Sequence, residues 1–174
     1  MNKLRITYSI LPFLIISTLL FVSPVKAEDK LTWLSFEQAV ELQSKAPKKI
    51  IIDVYTDWCG WCKKMDKYTY TNDSVIKYIN ANYYLVKLNA EQKEDIKFRD
   101  KTFSFKPEYK SHELAVSLLN GQMSYPTTVF LDENINILTV VPGYLTPKDL
   151  NPILKYFGEN IYKTMNWKEY SGEN

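Results

Sequence analysis

The chain has 174 residues, of which 45% are apolar and 24% charged, a balance that fits one globular domain with one core. Only five glycines and an aromatic content of 14% exclude a flexible, low-complexity chain. The formal net charge of +2 arises without a long basic run, so neither nucleic acid nor an anionic membrane surface is indicated as a partner.

The first 27 residues differ in composition from the rest. After a basic start, Ile10 to Val22 is a mostly apolar run, and Val25-Lys26-Ala27 places small residues where a signal peptidase cleaves. Because that run is shorter than the ~20 residues of a spanning helix, we predict a cleavable signal peptide at 1–27 rather than a membrane anchor. The mature domain, 28–174, has a net charge of −1 and is expected in the periplasm or otherwise outside the cytoplasm.

Helical and strand patterns alternate along the mature chain. Ser35 with Gln38 forms a capping box, and Ser111 is expected to cap a short helix. Pro152 predicts either a kink in the last helix or a start at Asn151. In chain order we predict a helix at 35–45, a strand at 49–55, helices from 59 and 73, a strand at 83–89, a helix at 111–119, strands at 127–132 and 137–141, and a helix from 146. This order predicts an α/β domain with a mixed sheet.

The segment Trp58-Cys59-Gly60-Trp61-Cys62 carries the clearest chemical signal. Two cysteines at this spacing close a small disulfide ring when the first stands at a helix N-terminus, where free N–H groups favour a thiolate. We assign attack on a substrate disulfide to Cys59 and resolution of the mixed disulfide to Cys62, one turn further along.

The two cysteines could instead bind zinc or form an inert structural disulfide. Zinc needs about four ligands, whereas the chain has a single histidine, His112, and no third cysteine. An inert bridge closing so short a loop adds little stability. We therefore expect no metal and no organic cofactor, the redox group being the Cys59–Cys62 disulfide itself.

From Lys49 to Phe157 the chain resembles thioredoxins, and more specifically exported bacterial thioredoxin-like proteins. The resemblance rests on four separated segments: Ile52-Asp53-Val54-Tyr55-Thr56-Asp57-Trp58-Cys59, Val86-Lys87-Leu88-Asn89, Tyr125-Pro126-Thr127 and Pro142-Gly143-Tyr144. It implies a thioredoxin fold, in which a central mixed sheet is flanked by helices, with an insertion before the cis-proline loop.

The resemblance also implies roles for an acid and a lysine. Asp53 stands six residues before Cys59, as in the family pattern, and is implied to lie beneath the cysteines and exchange a proton with Cys62. A buried carboxyl with a raised pKa can serve as base for a resolving thiol. Lys87 matches a lysine that the family places beside that acid. The alternatives are an acid that caps a turn and a lysine exposed on its strand.

The substrate groove is implied in the same way. A cis bond between Tyr125 and Pro126 would bring the backbone of Tyr125 beside the disulfide, where it can hydrogen-bond a substrate as an added strand. The alternative is an ordinary trans proline that opens a strand. Gly143 matches a glycine that lines the same groove.

Trp58, Gly60 and Trp61 surround the nucleophile and are assigned to substrate contact. At least one tryptophan is expected to be exposed, the alternative for both being core packing. Trp61 departs from the family pattern because thioredoxin has proline there, so the reducing strength of thioredoxin does not carry over.

Two further segments depart from compact thioredoxins. Residues 90–110 form an insertion that either selects a partner or covers a sheet edge. The C-terminal segment, 161–174, has no counterpart in the compact proteins and is expected to pack on the body before fraying.

The sequence thus predicts a thiol–disulfide oxidoreductase that reduces protein disulfides. As a reductant outside the cytoplasm it would need a membrane-embedded electron donor, because no soluble thiol pool exists there. The alternatives are a disulfide oxidase or isomerase, and a non-catalytic peptide-binding or chaperone module on the same fold. The sequence does not fix the oligomeric state, and a monomer is the expectation.

Overall fold

The computed structural model describes residues 30–172. The signal peptide predicted at 1–27 lies outside the described residues. Among the helices of residues 30–172, none combines the length and the apolar character that a membrane crossing requires.

The elements follow the predicted order with several additions. The strands are β1 (Trp33–Leu34), β2 (Lys49–Tyr55), β3 (Tyr83–Asn89), β4 (Ile96–Phe98), β5 (Lys101–Phe103), β6 (Phe105–Lys106), β7 (Ser111–His112), β8 (Thr127–Leu131) and β9 (Ile137–Pro142). The helices are α1 (Phe36–Lys45), α2 (Gly60–Tyr68), α3 (Asp73–Asn82), α4 (Glu113–Leu118), α5 (Pro147–Gly158) and α6 (Trp167–Ser171), with a 3₁₀ turn at Ile161–Lys163.

Five strands form the central sheet in the order β1-β3-β2-β8-β9. β3 runs parallel to β1 and β2, whereas β8 runs antiparallel to β2 and to β9, so the sheet is mixed as predicted. The middle strand, β2, is buried from Lys49 to Val54 because helices cover both faces and its β-branched side chains fill the layers on either side.

Local capping chemistry sets where the helices begin. Ser35 and Gln38 form the predicted capping box at the start of α1. Thr146 and Asp149 form another before α5, whose first residue is Pro147. The alternative start at Asn151 is wrong: the helix runs through Pro152, and the burial of its apolar face outweighs the loss of one backbone hydrogen bond.

The insertion is folded rather than irregular. β4 with β5 and β6 with β7 form two short antiparallel ribbons. Ile96 and Phe103 are buried in the core on the α1 side, and the Phe98 ring meets Phe36 edge-on at 5.3 Å between centroids. The segment therefore enlarges one core layer, while the edge of β3 is partly covered by β1, a two-residue strand that the sequence did not predict.

The predicted cap of the short helix is wrong by one residue. Ser111 lies in β7, and His112 caps α4 by accepting a hydrogen bond from the Leu114 N–H at Nδ1, 3.3 Å away. The helix is also shorter than predicted, because the pairing of β7 with β6 continues to His112.

The C-terminal segment packs against α5. The Tyr156 ring lies 5.2 Å from the rings of both Trp167 and Tyr170, measured between centroids. These contacts bury the outer face of α5 and hold the segment on the body of the domain.

Candidate active site

The two cysteines form a disulfide at the N-terminus of α2, with their Cα atoms 5.3 Å apart. Cys59 is the N-cap residue, and the Cys62 N–H donates to its Sγ at 3.1 Å. Cys59 is 4% exposed and Cys62 is 1% exposed. The first sulfur thus sits nearer the surface and receives a helix N–H, the setting that favours a thiolate at Cys59 after reduction.

Asp53 lies in β2 at the centre of a polar row that crosses the sheet. Lys87 is its register partner on β3, and Thr128 is its partner on β8. The Lys87 Nζ is 2.5 Å from Asp53 Oδ2 and also pairs with Asp66 of α2. Because Asp66 follows Cys62 by four residues, the two share a helix face. The buried acid therefore lies on the side of the sheet that α2 covers.

Opposing effects set the ionisation of this cluster. Burial raises the pKa of Asp53 to about 6, and the Lys87 ammonium keeps it from rising further. Burial alone would lower the pKa of Lys87, but the carboxylates of Asp53 and Asp66 raise it overall. Asp53 can consequently accept or release a proton near neutral pH, while Lys87 stays charged.

Aromatic rings surround the Lys87 ammonium. Its Nζ lies 4.7 Å from the ring centroid of Trp33 and 4.8 Å from that of Tyr55. Cation–π attraction adds to the two ion pairs and fixes the ammonium between β3 and α2.

Two aromatic pairs flank the disulfide. Trp58, 67% exposed, meets Tyr125 edge-on at 5.9 Å, and Trp61, 57% exposed, lies 5.5 Å from Tyr144. Lys64 stands over both rings of the second pair, 4.6 and 5.3 Å from their centroids. Both tryptophans are therefore exposed beside the disulfide rather than packed in the core, which was the alternative.

The insertion reaches the first aromatic pair from both of its ends. Glu91 Oε1 accepts a hydrogen bond from Trp58 Nε1 at 3.0 Å. One residue beyond the other end, burial raises the pKa of the Tyr125 phenol, and Ser111 is near enough to lower it by hydrogen bonding. The orientation of this pair therefore depends on the insertion.

The Tyr125–Pro126 bond is cis. The Gly143 N–H donates to the Pro126 carbonyl at 2.8 Å, which joins this loop to the one after β9. Gly143 has a φ of 96°, a conformation that glycine adopts without strain. Within residues 30–172 neither the N–H nor the C=O of Tyr125 has a hydrogen-bond partner, so its backbone is free to pair with an extended chain. Gly60 opens α2 with free space around its Cα.

Several residues near the disulfide and Asp53 were not predicted from the sequence: Asp66, Thr128, Glu91 and Lys64. Only Asp66 left a readable signal, because its spacing from Cys62 predicts a shared helix face. Among residues 30–172, no group of three or more His, Cys, Asp or Glu side chains is arranged to hold a metal ion.

Comparison with known proteins adds independent evidence on the family. The sequence model of a family described as a thioredoxin-like domain matches residues 36–158. The thiol:disulfide interchange protein DsbD of Haemophilus ducreyi is 27% identical over 126 residues, which cover 71% of this chain and 19% of that protein. The uncharacterized protein B0495.5 of Caenorhabditis elegans is also 27% identical over 126 residues, covering 72% of this chain and 15% of that protein. The match thus spans less than a fifth of either relative.

Solved structures show the same fold. The oxidoreductase DsbH superposes with a TM-score of 0.55 at 19% identity, over 79% of this chain and 90% of that one. A thioredoxin-fold protein from Helicobacter pylori superposes with a TM-score of 0.57 at 14% identity, over 86% and 89% of the two chains. At such identities the likeness concerns the fold and not the activity.

Proposed function

The chain belongs to the thioredoxin-like domain family, and from this premise we propose that it is a thiol–disulfide oxidoreductase that reduces protein disulfides outside the cytoplasm. The observation that carries the proposal is the Cys59–Cys62 disulfide at the N-terminus of α2, with an acid of raised pKa on the covered sheet face. Few other chemistries use a bonded pair so placed.

In the first step the Cys59 thiolate attacks one sulfur of a partner disulfide. A Cys59–partner disulfide forms, the partner's own disulfide breaks, and its second sulfur leaves as a thiolate that takes a proton from solvent. The Cys62 N–H, already directed at Cys59 Sγ, lowers the free energy of the attacking thiolate.

In the second step the Cys62 thiol gives its proton to Asp53 and attacks Cys59. The Cys59–Cys62 disulfide forms again, and the partner leaves as its second thiolate, so two electrons have passed to the partner. Lys87 stays charged and compensates the Asp53 carboxylate while it waits for the proton.

The charge of the cluster supports the reducing direction. Once Asp53 is ionised, above about pH 6, its carboxylate shares the Lys87 ammonium with Asp66, so the cluster on the helix face of Cys62 carries more negative than positive charge. Negative charge disfavours the Cys62 thiolate and so favours the disulfide, which makes the reduced pair a better electron donor. The N-terminus of α2 acts in the opposite sense on Cys59.

The partner is bound as an extended segment. The free backbone groups of Tyr125 pair with the strand around the partner's cysteine, and the exposed rings of Trp58 and Trp61 contact its side chains. Main-chain pairing tolerates many sequences, so the substrate class is protein disulfides rather than one small molecule.

The location rests on the predicted signal peptide at 1–27. Outside the cytoplasm a membrane-embedded electron donor must regenerate the dithiol, because a soluble thiol pool is lacking there. Purification from fractionated cells tests this step: a mature chain that begins at Glu28 in the extracytoplasmic fraction supports it, and an intact N-terminus in the cytosol contradicts it.

The reduction potential of Cys59–Cys62 tests the direction. The purified protein is equilibrated with dithiothreitol or glutathione buffers, and the reduced fraction is measured after thiol alkylation. A value near the approximately −270 mV of thioredoxin supports a reductase, whereas a value above about −180 mV identifies an oxidase or isomerase. Absence of a reversible couple contradicts every redox function.

A double variant separates the enzyme from a peptide-binding module. Replacing both Cys59 and Cys62 by serine should abolish disulfide reduction while leaving the aromatic surface intact. Retention of the cellular function in this variant would support the chaperone alternative. The single variant Cys62→Ser should accumulate the Cys59–partner disulfide, which identifies the partner by mass spectrometry.

A further inference from the structure

The polar row on β2, β3 and β8 has an additional member that comes from outside the sheet. Tyr70, two residues after α2 ends, is buried on the same core side as Met65. Its ring meets Trp33 edge-on at 4.9 Å and lies 5.6 Å from the Lys87 Nζ. A phenol thus covers the row at the point where Asp53 lies between Lys87 and Thr128.

Three polar atoms in this cluster lack partners. Asp53 Oδ1, Tyr70 Oη and Thr128 Oγ1 are each buried, and none makes a hydrogen bond of normal geometry to another group in residues 30–172. Leaving buried polar atoms unsatisfied is unfavourable, because they have lost their hydrogen bonds to water. A carboxylate oxygen only accepts, whereas the two hydroxyls both donate and accept, so the three atoms can satisfy one another.

Proximity supports this arrangement. Burial raises the pKa of Asp53, and the Lys87 ammonium lowers it. The Tyr70 hydroxyl is also near enough to Asp53 to lower this pKa by hydrogen bonding. Burial raises the pKa of Tyr70 well above its ordinary value, so the phenol keeps its proton and can donate. Thr128 is near enough to Tyr70 to donate to it in turn.

We propose that Tyr70 is a positioning residue for the thiol–disulfide reaction: its hydroxyl accepts a hydrogen bond from Thr128 and donates one to Asp53 Oδ1, directly or through one buried water. Lys87 holds Oδ2, so the carboxylate is fixed from two sides. The inference deepens the proposed function and rests on it, because it concerns the base that serves Cys62.

The contact favours the charged form of Asp53 over the protonated form. Charged and titratable groups that face Asp53 are Lys87 of β3, Asp66 of α2, Tyr70, and Tyr55 at the end of β2. Tyr70 and Tyr55 are both neutral, but only Tyr70 is near enough to hydrogen-bond Asp53, so its hydroxyl can be removed without changing the net charge. Loss of the Tyr70 hydroxyl should leave Asp53 protonated to higher pH and therefore less available as a base near pH 6.

The experiment compares Tyr70→Phe with the parent protein in two measurements. The carboxyl carbon of Asp53 is titrated by ¹³C NMR in the oxidised protein, where no thiol titrates, and its signal is assigned by its loss in Asp53→Asn. We expect the midpoint of Tyr70→Phe to rise by about 0.5–1 pH unit, the shift that corresponds to the loss of one ordinary hydrogen bond to the charged form.

The second measurement is the rate at which the Cys59 mixed disulfide is resolved, followed against pH. The midpoint of this profile should rise by the same amount, so that the rate near pH 6 falls by roughly two- to fivefold and recovers at high pH. A purely structural role for Tyr70 would change the rate equally at every pH.

Tyr83→Phe is the matched control. Tyr83 is also buried in this core layer, but its hydroxyl donates to the Leu154 carbonyl at 2.6 Å, away from Asp53. This variant should leave both midpoints unchanged. If Tyr70→Phe fails to fold, Thr128→Val removes the other hydroxyl and should raise the Asp53 midpoint in the same direction by less.

The outcomes separate this inference from the proposed function. An unchanged Asp53 midpoint in both Tyr70→Phe and Thr128→Val overturns the inference, even if the protein reduces disulfides normally. A raised midpoint without a matching change in the resolution profile overturns the link to the reaction. A protein without a reversible Cys59–Cys62 couple overturns the proposed function, and with it the role assigned to Tyr70.

Discussion

Two buried ionisable residues of β2, Lys49 and Asp53, differ in how completely their polar atoms are hydrogen-bonded. Lys49, at the start of β2 and 4% exposed, is bound by Glu133 Oε1 at 2.6 Å and by Asn160 Oδ1 at 3.0 Å. Asp53, four residues later, has Lys87 on one oxygen and no regular hydrogen bond on the other within residues 30–172. The partners of Lys49 join β2 to neighbouring segments of the chain. Asp53, with one oxygen unpartnered in the described part of the chain, can still gain and lose a proton near neutral pH, as a catalytic base must.

The rate of resolution gives the largest expected difference between these positions. Asp53→Asn should slow decay of the Cys59 mixed disulfide by about tenfold or more, because general-base assistance to Cys62 is lost. Rapid acid quenching followed by mass spectrometry measures the decay, with Lys49→Met as the control that should resolve normally. Unchanged kinetics in Asp53→Asn would remove this carboxyl from the mechanism.

Substitution at Asp53 and at Lys49 should change the free energy of unfolding in opposite directions. The pKa of Asp53 rises from 3.8 to about 6 on folding, so its favourable contribution is present below about pH 4 and is lost as pH rises through 6. Asp53→Asn should therefore make the oxidised protein more stable by roughly 2–3 kcal/mol at about pH 8, with little difference near pH 4. Urea unfolding at both pH values measures this, and an Asn variant less stable than the parent at about pH 8 would contradict it.

Lys49→Met should have the opposite effect on stability. The substitution leaves the Glu133 carboxylate and the Asn160 amide without their shared partner, and because Glu133 is partly exposed the loss should be about 2 kcal/mol. Urea unfolding gives this value, and the reduction potential of Cys59–Cys62 should not change. A shifted potential would mean that the two ends of β2 are coupled, contrary to the distinction drawn above.

The smallest expected effect lies on the surface beside the disulfide. Glu91→Ala removes the acceptor of the Trp58 Nε1–H, so the exposed ring samples more orientations. Because an exposed hydrogen bond contributes little, kcat/KM for a peptide disulfide should fall by about two- to threefold, with kcat and stability unchanged. An effect on kcat would place Glu91 in the chemistry instead of in partner contact.

The central part of the fold could be predicted because local patterns agree with the tertiary structure. The β-branched run of β2 and the capping box of Ser35 with Gln38 each indicate the element that forms. The sequence did not predict β1, because two residues are too few to show a hydrophobic period. It did not predict the ribbons of the insertion, because the charged and aromatic residues there follow no regular hydrophobic pattern. In such segments the partner strand, rather than local propensity, determines the structure.

The site divides in the same way. Cys59, Cys62 and Asp53 are near one another in sequence and follow a known pattern, so the sequence was sufficient to select them. Thr128 meets Asp53 only through the register of β2 with β8. Tyr70 lies near Lys87 and Asp53 only because the chain after α2 folds back onto this core layer. Contacts of this kind depend on packing over long sequence separations, which one sequence without structure does not reveal.

The attachment of the insertion at both ends has a consequence for how this protein can diversify. At one end Glu91 accepts a hydrogen bond from Trp58, and just beyond the other Ser111 is near enough to Tyr125 to lower its pKa against the effect of burial. The cysteines and Asp53 belong to other elements. Ile96 and Phe103 of the insertion fill the core and must stay apolar, but its exposed residues can change without contacting the disulfide or Asp53. Variation in this stretch can therefore reshape the surface beside Cys59 while the Cys59–Cys62 pair and Asp53 stay as they are.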